Sequence, residues 1–209
     1  DVLINSVGIH STKKILSSTG VEMGLMVNHL SVFLITTLLL PKMLENDHAR
    51  IIQVNSQGHR FNGLRIKDPN FKRRIYTGLK SYGQSKVCQL YTVWELARML
   101  KKSNVTINAM HPGAVKSNIG QNNGFLYRWW FKHVTMKFLK DPVISGESIY
   151  YLAMADELKD TSGKFFDLTI DEKPAWHALK IDKKGKKIWD LTTSLTEVNI
   201  EYGSDYYEV

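Results

Sequence analysis

The sequence is short of several things, and each shortage excludes something. With one cysteine, Cys88, there is neither an internal disulfide framework nor a multi-cysteine zinc site, and a reducing compartment is compatible with the chain. His59, His111 and His177 lack metal-ligand spacing to one another or to carboxylates, so no metal site is expected. The longest apolar run, Leu30 to Leu40, is 11 residues long and includes Ser31, Thr36 and Thr37. That is too short for a membrane span and reads as a buried helix. Internal repeats, low-complexity tracts and Gly/Ser linkers are absent. So are an initiator methionine and a signal peptide: the chain opens at Asp1 on Val2-Leu3-Ile4 and reads as the interior of something longer.

What is present is ordinary globular material. There are 209 residues, 43% hydrophobic and 23% charged, enough for one domain with a sizeable core. The net charge of +8 comes from two short stretches, Arg65 to Lys80 and Lys180 to Lys187. Neither interleaves basic with aromatic residues as a base-stacking surface would, so both read as solvated loops and no nucleic-acid partner is expected.

Short β-branched runs alternate with longer helical ones, the pattern of βαβ units and a parallel sheet. Val2 to Ser6, Arg50 to Asn55 and Thr106 to Met110 are runs of buried-strand type, with Lys164 to Thr169 a weaker fourth. Helices are expected over Val21 to Leu44, Ser81 to Lys102 and Ser145 to Ala155. The reading is one α/β domain over residues 1–209, with a core to about residue 170 and an irregular basic extension from about residue 172. Asn5-Ser6-Val7-Gly8 and His111-Pro112-Gly113 close strands, where open parallel sheets place ligands.

A tyrosine and a lysine four apart on a helix share a face. The ammonium can then lower the phenol's pKa toward the working pH, so that the tyrosine passes a proton to or from an alcohol or ketone. Two such pairs occur, Tyr76 with Lys80 and Tyr82 with Lys86, and composition alone yields about one by chance. Tyr76 and Lys80 flank Gly78 in the basic loop, whereas Tyr82 and Lys86 open an amphipathic helix. A rigid element is the better mount for such a pair, so the second is preferred.

With these residues in view, the chain resembles the short-chain dehydrogenase/reductases, within them the retinol dehydrogenase-like and carbonyl reductase groups. The resemblance rests on five strings in order: Asp1 to Gly8, Val27-Asn28-His29-Leu30, Val54-Asn55-Ser56, Tyr82-Gly83-Gln84-Ser85-Lys86 and His111-Pro112-Gly113. It implies a Rossmann-like, doubly wound parallel sheet. It also implies an oxidoreductase that transfers hydride between NADP, or alternatively NAD, and a hydrophobic alcohol or carbonyl compound such as a retinoid, steroid or lipid aldehyde. Tyr82 would be the general acid/base, Lys86 would lower its pKa and hold the nicotinamide ribose, and Ser56 would orient the substrate oxygen. Asn28 would bind a water linking Lys86 to solvent. Asn5, Gly8, Pro112, Gly113, Val115 and Ser117 would lie along the cofactor, Asn55 stands where the family often has serine, and a homodimer would form through the two long helices.

Between Ser117 and Asp141 an aromatic, basic segment admits three readings: a lid over an apolar substrate, a membrane-surface helix through 125–139, or plain packing. The family's Gly-rich phosphate-binding turn has no counterpart here, since Gly20 and Gly24 are followed by Met26 and preceded by no strand. In family terms the first βαβ half is missing and the chain is a C-terminal fragment. The alternative function is then a catalytically inactive protein acting as a dimerisation partner. The expected compartment is cytoplasmic, with an intracellular membrane-associated protein as the alternative.

Overall fold

A computed structural model of the chain describes residues 1–60, 64–116, 119, 123–125, 129, 133, 139–174 and 185–198. Strands β1 (Val2–Asn5), β2 (Ala49–Val54), β3 (Val105–His111) and β4 (Phe165–Asp167) lie side by side in that order and run parallel. The two-residue β5 (Ile170–Asp171) turns back antiparallel on β4. The register sets Ile4 beside Ile52, Ile52 beside Asn108, and Ala109 beside Phe165. All six residues of β2 are buried, as expected of a parallel strand covered on both faces. Even Arg50 is inside, with its guanidinium donating to the carbonyls of Leu152 and Ala155 at 3.3 and 2.8 Å.

Helices cover both faces, so the α/β, doubly wound expectation holds for the strands present. Helix α1 (Met23–Leu25) passes through a π-helical turn, Met26–Leu30, into α2 (Ser31–Leu44) without a break. Glu22 caps its start, accepting from the backbone N–H groups of Gly24 and Leu25 at 3.0 and 2.9 Å. Helix α3 (Gly78–Met99) is capped by Thr77, whose hydroxyl accepts from Lys80 N at 3.2 Å. Leu40 of α2 and Leu90, Val93 and Leu96 of α3 pack on Ile51, Ile107, Ala109 and Phe165 at one face of the sheet. Leu152 and Ala153 of α4 (Val143–Met154) pack on Ile52, Val54, Met110 and Phe166 at the other. Each such Leu, Ile, Val, Met or Phe side chain withdrawn from water stabilises the fold by about 1.5–3 kcal/mol.

Three local expectations change. The C-terminal extension is not irregular throughout: Gly185–Thr196 forms α5, whose Ile188 is 1% exposed in a cluster with Leu25, Leu30, Val87 and Tyr91. The many lysines around it hid a helix whose inward side is Ile188, Trp189, Thr192 and Leu195. Strand β1 is half-wet rather than buried, with Val2 and Ile4 exposed, because among the described residues it has a neighbour on one side only. The basic loop before α3 is partly packed: the Arg74 guanidinium lies 3.8 Å from the Phe71 ring centroid and also reaches Gln84. The continuous helix over 23–44 is long and apolar enough to cross a membrane by length and composition, with mean hydropathy 1.8. In this fold 56% of its most apolar window is buried within the protein.

Candidate active site

The site assembles where β2 ends. Asn55 continues the ladder by donating its N–H to Met110 O at 2.7 Å, and its side chain then fastens the strand end to α3. Its amide nitrogen donates to Lys86 O at 3.0 Å and to Gln89 Oε1 at 2.7 Å, and its Oδ1 accepts from Ser56 N at 2.8 Å. A serine could not make all three bonds, which gives the asparagine at this position a physical reason. Ser56 then opens a 3₁₀ turn, Gln57–Arg60, and its Oγ accepts from Gly58 N at 3.0 Å. That leaves the hydroxyl hydrogen unspent beside the Tyr82 ring, and the influence of Ser56 favours the charged form of the phenol.

Tyr82 stands one turn into α3 and Lys86 one turn further on, at the buried side of the helix. A Cβ on Gly58 would stand 2.7 Å from Tyr82 Cε1 and 3.3 Å from Ser56 Oγ. Glycine is therefore what admits the tyrosine ring beside the serine, a requirement invisible in sequence because the contact is between distant residues. His10, also missed, meets the same ring edge-on with centroids 5.8 Å apart.

Lys86 is 2% exposed. Its Nζ donates to Val54 O at 2.9 Å, approaches Gln89 Oε1 at 3.5 Å, and lies 5.8 Å from the Tyr82 ring centroid. Burial lowers the ammonium's pKa to about 7. The same burial raises the Tyr82 hydroxyl above its ordinary value, and the influence of Ser56 offsets only part of that. Desolvation is the larger cause at Tyr82, and the expected influence of Lys86 on it belongs to the proposal below.

Asn28 sits in the π turn, a feature often found at functional sites. Its Oδ1 accepts from Ile9 N at 2.7 Å, and its Nδ2 donates to Ile9 O and Ser85 Oγ, both at 3.0 Å. The side chain thus ties the turn after β1 to α3, with its donors committed to protein rather than to a water. Gly8 belongs to the same turn: a Cβ there would stand 3.8 Å from Asn28 Oδ1 and 3.9 Å from Lys86 Nζ. Asn5 donates to Thr36 Oγ1 at 3.0 Å, joining β1 to α2. Pro112 and Gly113 follow β3, the strand next to β2. Gly113 adopts φ +81°, a conformation that favours glycine, and Ser145 Oγ donates to Pro112 O. Val115 bridges to Lys140. Ser117 lies outside the described residues, as does most of 125–139. The rival Tyr76 precedes α3 and spends its hydroxyl on Ser11 O at 3.0 Å, while Lys80 is in the helix's first turn.

The profile of the short chain dehydrogenase family matches residues 1–124. The chain belongs to this family. Among curated short-chain dehydrogenase relatives, Retinol dehydrogenase 13 of Homo sapiens is 34% identical over 194 residues, covering 90% of this chain and 58% of that protein. Retinol dehydrogenase 14 of Homo sapiens is 33% identical over 194 residues, covering 92% of this chain and 57% of the relative. The chain thus spans a little under three-fifths of their length. A solved structure of an uncharacterized protein from Mycobacterium Paratuberculosis superimposes with a TM-score of 0.73 at 25% identity, over 95% of this chain and 68% of that one.

Beside Lys86 stand the turn after β1, at Gly8, and the end of β2, at Val54. Among the described residues the ammonium has two protein acceptors for three hydrogens.

Proposed function

We propose that the protein is an oxidoreductase moving hydride between a nicotinamide dinucleotide and a hydrophobic alcohol or carbonyl compound. The observation that carries the reading is the convergence of Tyr82, Ser56 and Lys86 at the end of β2, with Gly58 as the residue that lets the phenol ring approach the serine. Lys86, Asn28, Gly8 and Asn5 would line the ribose side, and Pro112, Gly113, Val115 and Ser117 the nicotinamide side. When bound, the cofactor supplies the hydride chemistry.

The protein's own part is proton transfer and orientation. In reduction, Ser56 donates a hydrogen bond to the substrate oxygen, and Tyr82 gives that oxygen its phenolic proton as hydride reaches the carbon. Oxidation is the reverse. The Lys86 ammonium, charged while the site is occupied, stabilises the phenolate left behind. NADP, with NAD as the alternative, and a substrate of retinoid, steroid or lipid-aldehyde type follow from the likeness to retinol dehydrogenases. Exposed Phe125 and Trp129 are in keeping with an apolar substrate or a membrane surface near 125–139.

The test is Tyr82→Phe in the protein at its full natural length. Turnover should fall at least about a thousandfold while NADPH binding, followed by cofactor fluorescence, changes by less than about threefold. Retained turnover would sink the assignment, and absence of NADPH and NADH binding would favour the inactive, partner-binding alternative. A homodimer through α2 and α3 belongs to the same proposal, supported on the α2 side by exposed Ile35, Leu38 and Leu39, and is checked by sedimentation equilibrium. A cytoplasmic location, against association with an intracellular membrane, is checked by cell fractionation.

A further inference from the structure

Behind Lys86 runs a file of buried polar side chains that the proton chemistry does not use. Thr36 on α2, Gln53 on β2, Gln89 on α3, Asn55 after β2 and Asn5 on β1 are all at most 6% exposed. Thr36 has one hydroxyl hydrogen and donates it to Val32 O at 2.8 Å. It can therefore only accept from Asn5 Nδ2 at 3.0 Å and Gln53 Nε2 at 3.1 Å. With its nitrogen assigned, Gln53 offers its oxygen to Gln89 Nε2 at 3.4 Å. The oxygen of Gln89 then faces Asn55 Nδ2 at 2.7 Å and Lys86 Nζ at 3.5 Å.

The far end gives the same answer independently. Asn55 must turn its oxygen to Ser56 N–H and its nitrogen to Lys86 C=O, because those backbone groups cannot exchange roles. A flipped Gln89 would set a donor against Asn55 and against the ammonium, all three side chains being at most 2% exposed. Its direction is thus fixed from both ends, and only one direction gives Lys86 a second acceptor beside Val54 O.

We propose that Gln89 is a positioning residue for Lys86, aimed by Thr36 through Gln53 and by the backbone through Asn55. This rests on the reading of Lys86 as a working residue of the site. Val54 O and Gln89 Oε1 draw the ammonium from the sheet side, and its remaining hydrogen is left for the side where the turn after β1 packs at Gly8. The titratable group facing Lys86 is Tyr82, from α3; the turn after β1 presents Gly8, α1 and its π turn present Asn28, and β2 presents a carbonyl. Among the described residues no carboxylate bonds to it.

The experiment is a titration of the Lys86 side chain by NMR in protein carrying 13Cε-labelled lysine, the signal assigned by its loss in Lys86→Met. Gln89→Leu should lower the midpoint by about one pH unit, since the charged form loses an acceptor. Thr36→Val, a near-isosteric change that removes the anchor of the file, should lower it in the same direction, and Thr36→Ser should restore the native value. A native midpoint in folded Gln89→Leu overturns the proposal. If Gln89→Leu does not fold, a native midpoint in Thr36→Val overturns it instead. Should the native protein show no turnover while the midpoint still answers to Gln89→Leu, the oxidoreductase reading fails and the positioning role stands.

Discussion

Lys86 holds an ammonium where water does not reach, and the strain of that choice is readable in stability as well as in chemistry. Its pKa is about 7 in the folded chain and ~10.4 when unfolded. Between those values the unfolded chain keeps a proton that the folded chain has shed, so stability rises with pH across that window, by up to about 1.4 kcal/mol per unit. Below about pH 7 both states are charged and the whole desolvation penalty stands. Lys86→Met should therefore stabilise the protein at pH 6–7 by on the order of 3 kcal/mol and flatten the rise toward pH 10, while ending turnover. Urea unfolding at pH 6, 8 and 9.5 measures this, and a variant less stable than the native protein at pH 6 would contradict it. The Tyr82 and Lys86 pair was visible in the sequence as a helix spacing, a local feature, and Ser56 entered with the family resemblance. Gly58 and Gln89 were not, because their reasons are a ring and an ammonium that folding brings to them from elsewhere in the chain.

At the scale of elements, the strands and the two long helices were legible to within a few residues, since apolar runs and three-and-four spacing survive in the sequence. The π turn and α5 were not. A π turn has the same apolar residues as the helix around it, and the lysines before and within α5 mask the inward side formed by Ile188, Trp189, Thr192 and Leu195. The two meet at His29, whose Nε2 lies 2.8 Å from Thr192 Oγ1. Thr192 gives its own hydrogen to Ile188 O at 2.7 Å, so the imidazole must be the donor. Burial holds the pKa of His29 down at about 3. From pH ~6.5 to about 3 the unfolded chain takes up a proton that the folded chain refuses, so stability falls with pH by up to about 1.4 kcal/mol per unit. His29→Leu should remove that dependence and move acid unfolding to lower pH. Trp189, edge-on to Phe33 with centroids 5.3 Å apart, provides the fluorescence signal for the docking of α5. An unchanged acid midpoint would show that His29 does not carry the dependence.

For the molecule as a whole, the sheet sets a gradient of protection, and its steep end is at β1. Strand β2 is hydrogen-bonded on both sides and covered on both faces, whereas β1 has β2 on one side and leaves Val2 and Ile4 exposed. Opening β1 breaks one ladder and exposes little new apolar surface; opening β2 divides the sheet and uncovers Ile51 and Ile52, which are almost wholly buried. Local opening free energies follow such differences, from near zero at loosely held elements to the global value at the core. Backbone amides of 50–54 should then exchange with solvent at least about a hundredfold more slowly than those of 2–5, with 86–96 of α3 among the slow set. Hydrogen exchange followed by mass spectrometry measures the ratio in the protein at micromolar concentration. Equal protection of β1 and β2 would mean that the outer edge of β1 is covered in solution. Exchange repeated across a hundredfold range of protein concentration would then tell a second copy, whose cover thins on dilution, from a covering segment of the same molecule, whose cover does not.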